Sequence, residues 1–314
     1  MSFTLAHLSD LHVTPVRFGC LPWRLNKQTI GWLKWRAQRR HEYRPEILEA
    51  LIADLHGQRP DHTVVTGDLT NLGLETELRA ALGWLERLGD PRQVTLIPGN
   101  HDAYTPASAA SLQAHWRAYL GSDTSEADLL FPSLRRRGPV ALLGVSSVGP
   151  TGLLSAAGRV EPDQQARLGR LLQSLGQVCR VVLMHHPPTR AGLPQRRRLH
   201  DAQALQRVLA ESGAELVLHG HTHTTTLTRI PVPHRAAIPV VGVRSASALG
   251  HKPRRSAQYH LYSLSPGQPD GVQISLRIRA YDPTSGGFHQ LGPYRLTPLE
   301  KNSLPTDVFS VISA

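Results

Sequence analysis

Seven residues carry donors suited to divalent metal ions: Asp10, His12, Asp68, Asn100, His185, His221 and His223. They fall in five short clusters: Asp10-Leu11-His12, Gly67-Asp68, Gly99-Asn100-His101-Asp102, His185-His186 and Gly220-His221-Thr222-His223. The donors are carboxylate oxygen, amide oxygen and imidazole nitrogen, with no thiolate. Such a set suits Mn, Fe, Zn, Co or Ni and excludes a cysteine-built structural zinc site. In extended backbone, residues i and i+2 point to the same side, so Asp-x-His and His-x-His can each aim two side chains at one ion or a close pair. Each cluster alone has an ordinary reading as a chance pair, core histidines, a polar loop or an Asx-capped turn. Five of them in one chain point to a metal centre.

Each cluster follows an apolar run. The strand candidates are Leu5–Leu8, Thr63–Thr66, Val94–Ile97, Val140–Val145, Val181–Met184 and Leu216–Leu218. Helical patterns lie between them, near Pro45–His56, Thr76–Leu88, Ser108–Tyr119, Pro162–Leu175 and Asp201–Ser212, with Pro45 and Pro162 suited to a first helical turn. This alternation predicts an α/β layered fold with buried strands. Ligands in such sheets gather beyond the carboxyl ends of the strands, and five of these ends carry Asp, Asn or His. Gly67, Gly99 and Gly220 permit sharp exits. After about residue 224 the rhythm changes to short alternating runs at Ile238–Arg244, Gln258–Leu264 and Val272–Arg279. The chain therefore reads as a single domain over 1–300, with antiparallel strands at 225–290 and a tail at 301–314.

The bulk properties narrow the class. A chain of 314 residues with 40% apolar content can build a large core, and no run of about 18 apolar residues is present to span a bilayer. The start of the chain enters a strand-like run with no leader pattern. Cys20 and Cys179 are two distant thiols, which suggests a reducing compartment, the cytoplasm, in place of a disulfide framework. The formal charge of +11 favours anionic partners such as phosphorylated substrates, nucleic acid or an anionic membrane face.

At the five clusters the chain resembles the calcineurin-like metallophosphoesterase superfamily, whose pattern is D-x-H, G-D, G-N-H-[DE], H and G-H-x-H. The resemblance covers about residues 5–224. It implies a four-layer αββα sandwich of two mixed sheets with helices outside. It further implies that Asp10, His12 and His223 hold one metal ion, that Asn100, His185 and His221 hold the other, and that Asp68 bridges them. His101 and Asp102 are then catalytic: His101 faces the phosphate and aids the leaving oxygen, and Asp102 orients His101. Two divalent ions, of Mn, Fe, Zn or Co, would clamp phosphate oxygens and lower the pKa of a shared water. An intact ligand set argues against a non-enzymatic scaffold on the same fold. The Asp-x-His block is similar to that of the branch containing cyclic-nucleotide phosphodiesterases, glycerophosphodiesterases and bacterial lipid phosphoesterases.

Residues 16–44 depart from the compact cyclic-nucleotide enzymes. This insertion carries Arg17, Arg24, Lys27, Lys34, Arg36, Arg39, Arg40 and Arg44 against one acid, Glu42, together with Trp23, Trp32 and Trp35. On a helical reading Leu25, Trp32 and Leu33 share a face, with Gly31 interrupting the pattern. The insertion either packs on the domain, or lies on an anionic membrane surface, or, as the weakest reading, stacks on nucleic acid. The leading expectation is a phosphodiesterase or pyrophosphatase for a lipid-linked or amphiphilic phosphoester, peripheral on the inner face of the membrane. The runner-up is a soluble cyclic-nucleotide or glycerophosphodiester phosphodiesterase. Arg135-Arg136-Arg137 and Arg196-Arg197-Arg198 read as solvated loops, the second following the His185 strand and so near the mouth of the site.

Overall fold

Strands that are apolar on both faces must be covered on both faces, and the chain meets that demand with two stacked sheets and an outer helical layer on each side. The computed structural model describes residues 2–16, 27–37, 39–123, 130–149, 151–152, 155–176, 178–190, 192–250, 255–266, 271–297 and 310–311. The first sheet holds β1 (Phe3–Leu8), β2 (His62–Val65), β3 (Val94–Leu96), β10 (Gln258–Pro266), β11 (Val272–Asp282) and β12 (Gly287–Thr297), in the order β12-β11-β10-β1-β2-β3. The second holds β4 (Ser133–Arg137), β5 (Val140–Gly144), β6 (Cys179–Met184), β7 (Leu216–His219), β8 (Thr226–Ile230), β9 (Ile238–Gly242) and β13 (Ser310–Val311), in the order β13-β8-β9-β7-β6-β5-β4.

Both sheets are mixed. β1, β2 and β3 run parallel, as do β5, β6, β7 and β9, while β10 joins β1 antiparallel and β4 joins β5 antiparallel. Alternate residues of one strand therefore serve different layers. Leu5, Val64, Val181, Leu183 and Leu218 fill the seam between the sheets, with Leu276 and Ile278 of β11. Ala6, Leu8, Val65 and Leu96 turn the other way and meet α2 (Pro45–Gln58), α3 (Glu75–Leu88) and α4 (Pro106–Leu120). Val182, Met184, Val217 and Val240 meet α5 (Pro162–Ser174) and α6 (Ala202–Ser212). The result is the four-layer αββα sandwich.

Prolines start α2, α4 and α5 in their first turns, where a missing N–H costs nothing. Thr105 caps α4 by accepting the Ser108 N–H at 3.1 Å.

Two expectations need correction. After residue 224 the pairs β8–β9, β10–β11 and β11–β12 are antiparallel, but β9 also pairs parallel with β7, and β12 carries the first sheet as far as Thr297. Of the tail, only Ser310–Val311 is described, as a short strand beside β8. Arg135–Arg137 is strand β4 and not a solvated loop. Arg135 is buried, and its guanidinium donates to the carbonyls of Pro91, Val94, Ala118 and Gly121.

In the insertion, Lys27–Ala37 forms α1 and Arg39–His41 a single 3-10 turn, while Arg17, Cys20, Trp23, Arg24 and Leu25 lie outside the described residues. Trp32 packs against Leu72, Leu74 and Tyr104, whereas Leu33 is 56% exposed, so the two do not share a buried face. Gly31 is what lets the helix dock. A Cβ there would lie 2.5 Å from the Tyr104 hydroxyl.

Candidate metal centre

The site is built by backbone that departs from the strands, not by the strands themselves. Asp10, His12, Asp68, His221 and His223 all take positive φ, between 50° and 67°. The left-handed region costs a non-glycine residue roughly 1–2 kcal/mol. Five such residues at the ends of β1, β2 and β7 mark a place where geometry is held against local preference. Asp10 and His12 therefore reach one point from a curled segment, and not from the extended backbone that their i, i+2 spacing suggested.

Cross-chain hydrogen bonds hold the curl. The Asp10 N–H donates to the Gly67 carbonyl at 2.8 Å and the His12 N–H to the Asp68 carbonyl at 3.2 Å. Ser245 Oγ donates to the Asp10 carbonyl at 2.7 Å. Asn71 Nδ2 donates to the His12 carbonyl at 3.0 Å. Gly99 lies where a Cβ would stand 2.1 Å from Asp68 Oδ1, so only glycine fits.

These segments bring the candidate ligands into two groups. Asp10, His12 and His223 form one; Asp68, His185 and His221 form the other, with the donor atoms of each group within 4.8 Å of one another. His223 Nε2 lies 3.0 Å from Asp10 Oδ1, and His185 Nε2 lies 3.3 Å from Asp68 Oδ2. Asp68 Oδ2 is also 3.8 Å from His12 Nε2, so it stands within reach of both groups. Asn100 Oδ1 sits 3.2 Å from His185 Nε2, beside the second group.

The donor set fits metal ions. His12 Nδ1 lies 2.8 Å from the Thr70 carbonyl and His185 Nδ1 lies 2.6 Å from the Thr66 carbonyl. A carbonyl only accepts, so these nitrogens carry the protons and each Nε2 presents a lone pair. For His221 the roles reverse: Nε2 donates to the Arg197 carbonyl at 3.0 Å, leaving Nδ1 for the site. Such outer partners fix tautomer and ring orientation in metal sites. Asp10 Oδ1 and His12 Nε2 are buried without a hydrogen-bond partner, an arrangement that a cation would satisfy.

The charges agree. Burial opposes ionisation of Asp68, but the imidazoles of His185 and His101 outweigh it and hold the carboxyl well below its usual range. Burial likewise opposes a charged Asp10, yet His223 brings it down to about 2. Burial would lower the His185 imidazole, whereas the Asp68 carboxylate lifts it to about 9, so an ion bound there would displace the proton from its Nε2. The carboxylates of Asp10 and Asp68 are thus ready to meet positive charge.

His101 borders the same cleft, a cavity of about 400 Å3 also lined by Asp68, Asn100, His221 and His223. Its N–H donates to Asp68 Oδ1 at 2.7 Å, and its Nδ1 donates to the Asn71 carbonyl at 2.5 Å. Burial, with the nearby Arg39 charge, keeps the ring neutral, well below the ordinary histidine range.

Asp102 does not orient His101. Its Oδ2 accepts the N–H groups of Asp68 and Gly99 at 2.8 and 2.9 Å, and its Oδ1 accepts the Thr70 N–H at 2.9 Å and the Thr70 hydroxyl at 3.1 Å. It pins the loop that carries Asp68. Burial and the Asp68 charge push its carboxyl up to about 7, against the pull of the Gly99 and Thr70 N–H groups.

Several residues at the site lay outside the motifs. Arg39, from the turn after α1, donates to His101 Nε2 at 2.8 Å. Tyr43 OH pairs with His223 Nδ1 at 3.1 Å. Arg197 donates to the His221 carbonyl at 3.0 Å and lines the cleft. Glu77, fully buried, accepts the N–H groups of Asn71, Leu72 and Leu74 and so shapes the rim that holds His101. The only sequence signals were the basic insertion for Arg39 and the position of the 196–198 run after β6 for Arg197.

A family model of calcineurin-like phosphoesterases matches residues 3–225, most of the chain and every cluster described above. The chain belongs to the calcineurin-like phosphoesterase family. A glycerophosphodiester phosphodiesterase of Enterobacter lignolyticus is 27% identical over 206 residues, covering 60% of this chain. The match spans 66% of that relative's length. The fold is similar to a dimetal phosphatase from Danio rerio (TM-score 0.55, 13% identity, 93% of this chain and 99% of the other). It is also similar to a purple acid phosphatase from yellow lupin, Lupinus luteus (TM-score 0.58, 11% identity, 92% and 53%). Within this calcineurin-like phosphoesterase, no helix among the described residues is long and apolar enough to cross a bilayer.

Proposed function

We propose that the chain is a two-metal phosphoester hydrolase, a phosphodiesterase or pyrophosphatase. The observation that carries this reading is the pair of ligand groups flanking Asp68 at the floor of one cleft, with neutral His101 beside them. Asp10, His12 and His223 would hold one ion; Asn100, His185 and His221 the other; Asp68 would bridge. When bound, two divalent ions supply Lewis acidity to the phosphate and lower the pKa of a water nucleophile. The residues do the rest. Thr66, Thr70 and Arg197 carbonyls hold the ligand imidazoles in the required tautomers. With Nδ1–H fixed on Asn71 and the ring neutral, His101 presents the Nε2 lone pair to the cleft, where Arg39 donates to it; to protonate the leaving oxygen it would first have to take up a proton at that atom. General acid catalysis of this kind contributes typically 10²–10⁴-fold.

The finer reading is an amphiphilic or lipid-linked phosphoester met at an anionic membrane face, by a protein of the cytoplasm. Its support is the +11 charge, the insertion turn at the cleft rim and exposed Leu33 on α1. The inward packing of Trp32 gives the insertion a structural part as well. A second reading, a soluble glycerophosphodiester or cyclic-nucleotide phosphodiesterase, draws on the 27% identical glycerophosphodiester phosphodiesterase.

The test of the hydrolase reading is turnover of bis(p-nitrophenyl) phosphate by metal-stripped and metal-loaded protein. Loading should restore turnover; equal rates in both samples refute the mechanism. Co-sedimentation with anionic liposomes at low salt, set against a screen of lipid phosphoesters and cyclic nucleotides, separates the two substrate readings.

A further inference from the structure

Three arginines outside the metal-binding motifs line the same cleft as Asp68 and His101: Arg39 from the insertion, Arg197 from the segment after β6, and Arg255 from the segment before β10. Arg39 reaches the neutral ring of His101, and Arg197 reaches a carbonyl. Among the described residues, none of the three guanidinium groups has a carboxylate within 4.0 Å. Burial disfavours the charge of Arg197, and the nearby Arg39 adds to this, against the pull of the Asp10 and Asp68 carboxylates that face the metal site. Glu42, also on this rim, accepts the Gly250 N–H.

Like charges are not gathered in a half-buried cleft without something to offset them. A simple phosphodiester brings one negative charge, which the two divalent ions held beneath would take. The arginines are left over. Guanidinium groups match phosphate oxygens in geometry, two donors to two acceptors.

We propose that Arg39, Arg197 and Arg255 form an anion subsite for a second phosphoryl group adjacent to the scissile one, so that the preferred substrate is a diphosphate diester. This rests on the hydrolase reading above and names its substrate class. Water forms a new P–O bond at the scissile phosphorus, and the bridging P–O bond breaks. The electron pair leaves on the second phosphoryl group, whose new charge faces the arginines. The two protons of the water end on product oxygens and solvent, and two phosphomonoesters result. A glycerophosphodiester, with a neutral alcohol as leaving group, would use none of this.

The test pairs binding with turnover in the metal-loaded protein. Binding of a methylene-bridged adenosine diphosphate, which cannot be cleaved at the bridge, is compared with binding of adenosine monophosphate. Wild type should bind the diphosphate at least tenfold more tightly. Arg39→Met with Arg255→Ala should bring that ratio below threefold; Arg255 is exposed, and α1 stays docked through Gly31 and Trp32. Turnover of ADP-ribose and of bis(p-nitrophenyl) phosphate is measured alongside. The variant should lose kcat/KM on ADP-ribose at least five times more than on the monoanionic diester. Equal losses on both, or a binding ratio the substitutions do not move, overturn the subsite while leaving the hydrolase standing. Turnover of neither compound overturns both.

Discussion

Substituting Asp102 by Asn separates two roles for this carboxylate. If Asp102 pins the Asp68 loop, the change converts one acceptor oxygen into an NH2 group facing backbone N–H donors. Turned towards Asp68 and Gly99, the amide loses both of those bonds; turned towards Thr70, it loses the Thr70 N–H bond, because the hydroxyl can reverse and accept but a backbone N–H cannot. Bonds to a charged partner are worth roughly 1.5–3 kcal/mol each, so the cost is about 1.5–6 kcal/mol. At a sensitivity of about 2 °C per kcal/mol for a chain of this size, the melting temperature should fall by about 3–12 °C. Either way the loop that holds Asp68 at its left-handed φ of 57° loses an anchor. Metal affinity should drop about 10–100-fold, as for other losses of an outer partner. Calorimetric melting and a chelator competition read both quantities. An Asp102→Asn protein that melts and binds metal as wild type does, and loses only its rate, would refute this reasoning and restore Asp102 as an aid to His101.

Arg135→Met should cost about 3 kcal/mol and several degrees in melting temperature, because the carbonyls of Pro91, Val94, Ala118 and Gly121 lose a buried donor; an unchanged melt would return Arg135 to the surface. His62 is buried, pushed down to about 3 by burial and the charges of Arg137 and Arg135, and pairs with Thr95 Oγ1 at 2.7 Å. Its unfolded form binds a proton below about pH 6.5 while the folded form does not. The folded state is thus fully favoured above that pH and loses about 1.4 kcal/mol per pH unit as pH falls toward 3. Between pH 7 and 5, His62→Gln should flatten the urea-unfolding profile by about 2 kcal/mol; parallel profiles for the two proteins would contradict the assignment.

Much of the fold was legible because the buried strands are unbroken apolar runs. β1, β2, β3, β5, β6 and β7 sit where Leu5–Leu8, Thr63–Thr66 and their counterparts placed them, within one or two residues. The missed strands lack that signal. β4 is an edge strand reading Ser-Leu-Arg-Arg-Arg, and β12 is interrupted by Gly292 and Pro293. The metal-binding clusters were legible as local motifs, since each occupies two to four consecutive residues. Their left-handed backbone was not, because non-glycine residues carry no mark of positive φ. The outer residues were hidden for a different reason. Asn71, Tyr43, Arg39 and Glu77 act through contacts 30 to 180 residues away in the chain, except where Glu77 caps its own loop. The orienting role of Asp102 came from the family resemblance alone, and the turn instead sends its carboxylate to the N–H groups of Asp68, Gly99 and Thr70.

The most direct test of the central claim is a metal titration of stripped protein, with bound ion counted by elemental mass spectrometry and hydrolysis of bis(p-nitrophenyl) phosphate followed at each step. The two ligand groups predict a break at two ions per chain in wild type, full activity only after the second, and a single remaining ion in Asp10→Ala. Saturation at one ion in wild type, or full turnover before any ion is bound, would contradict it.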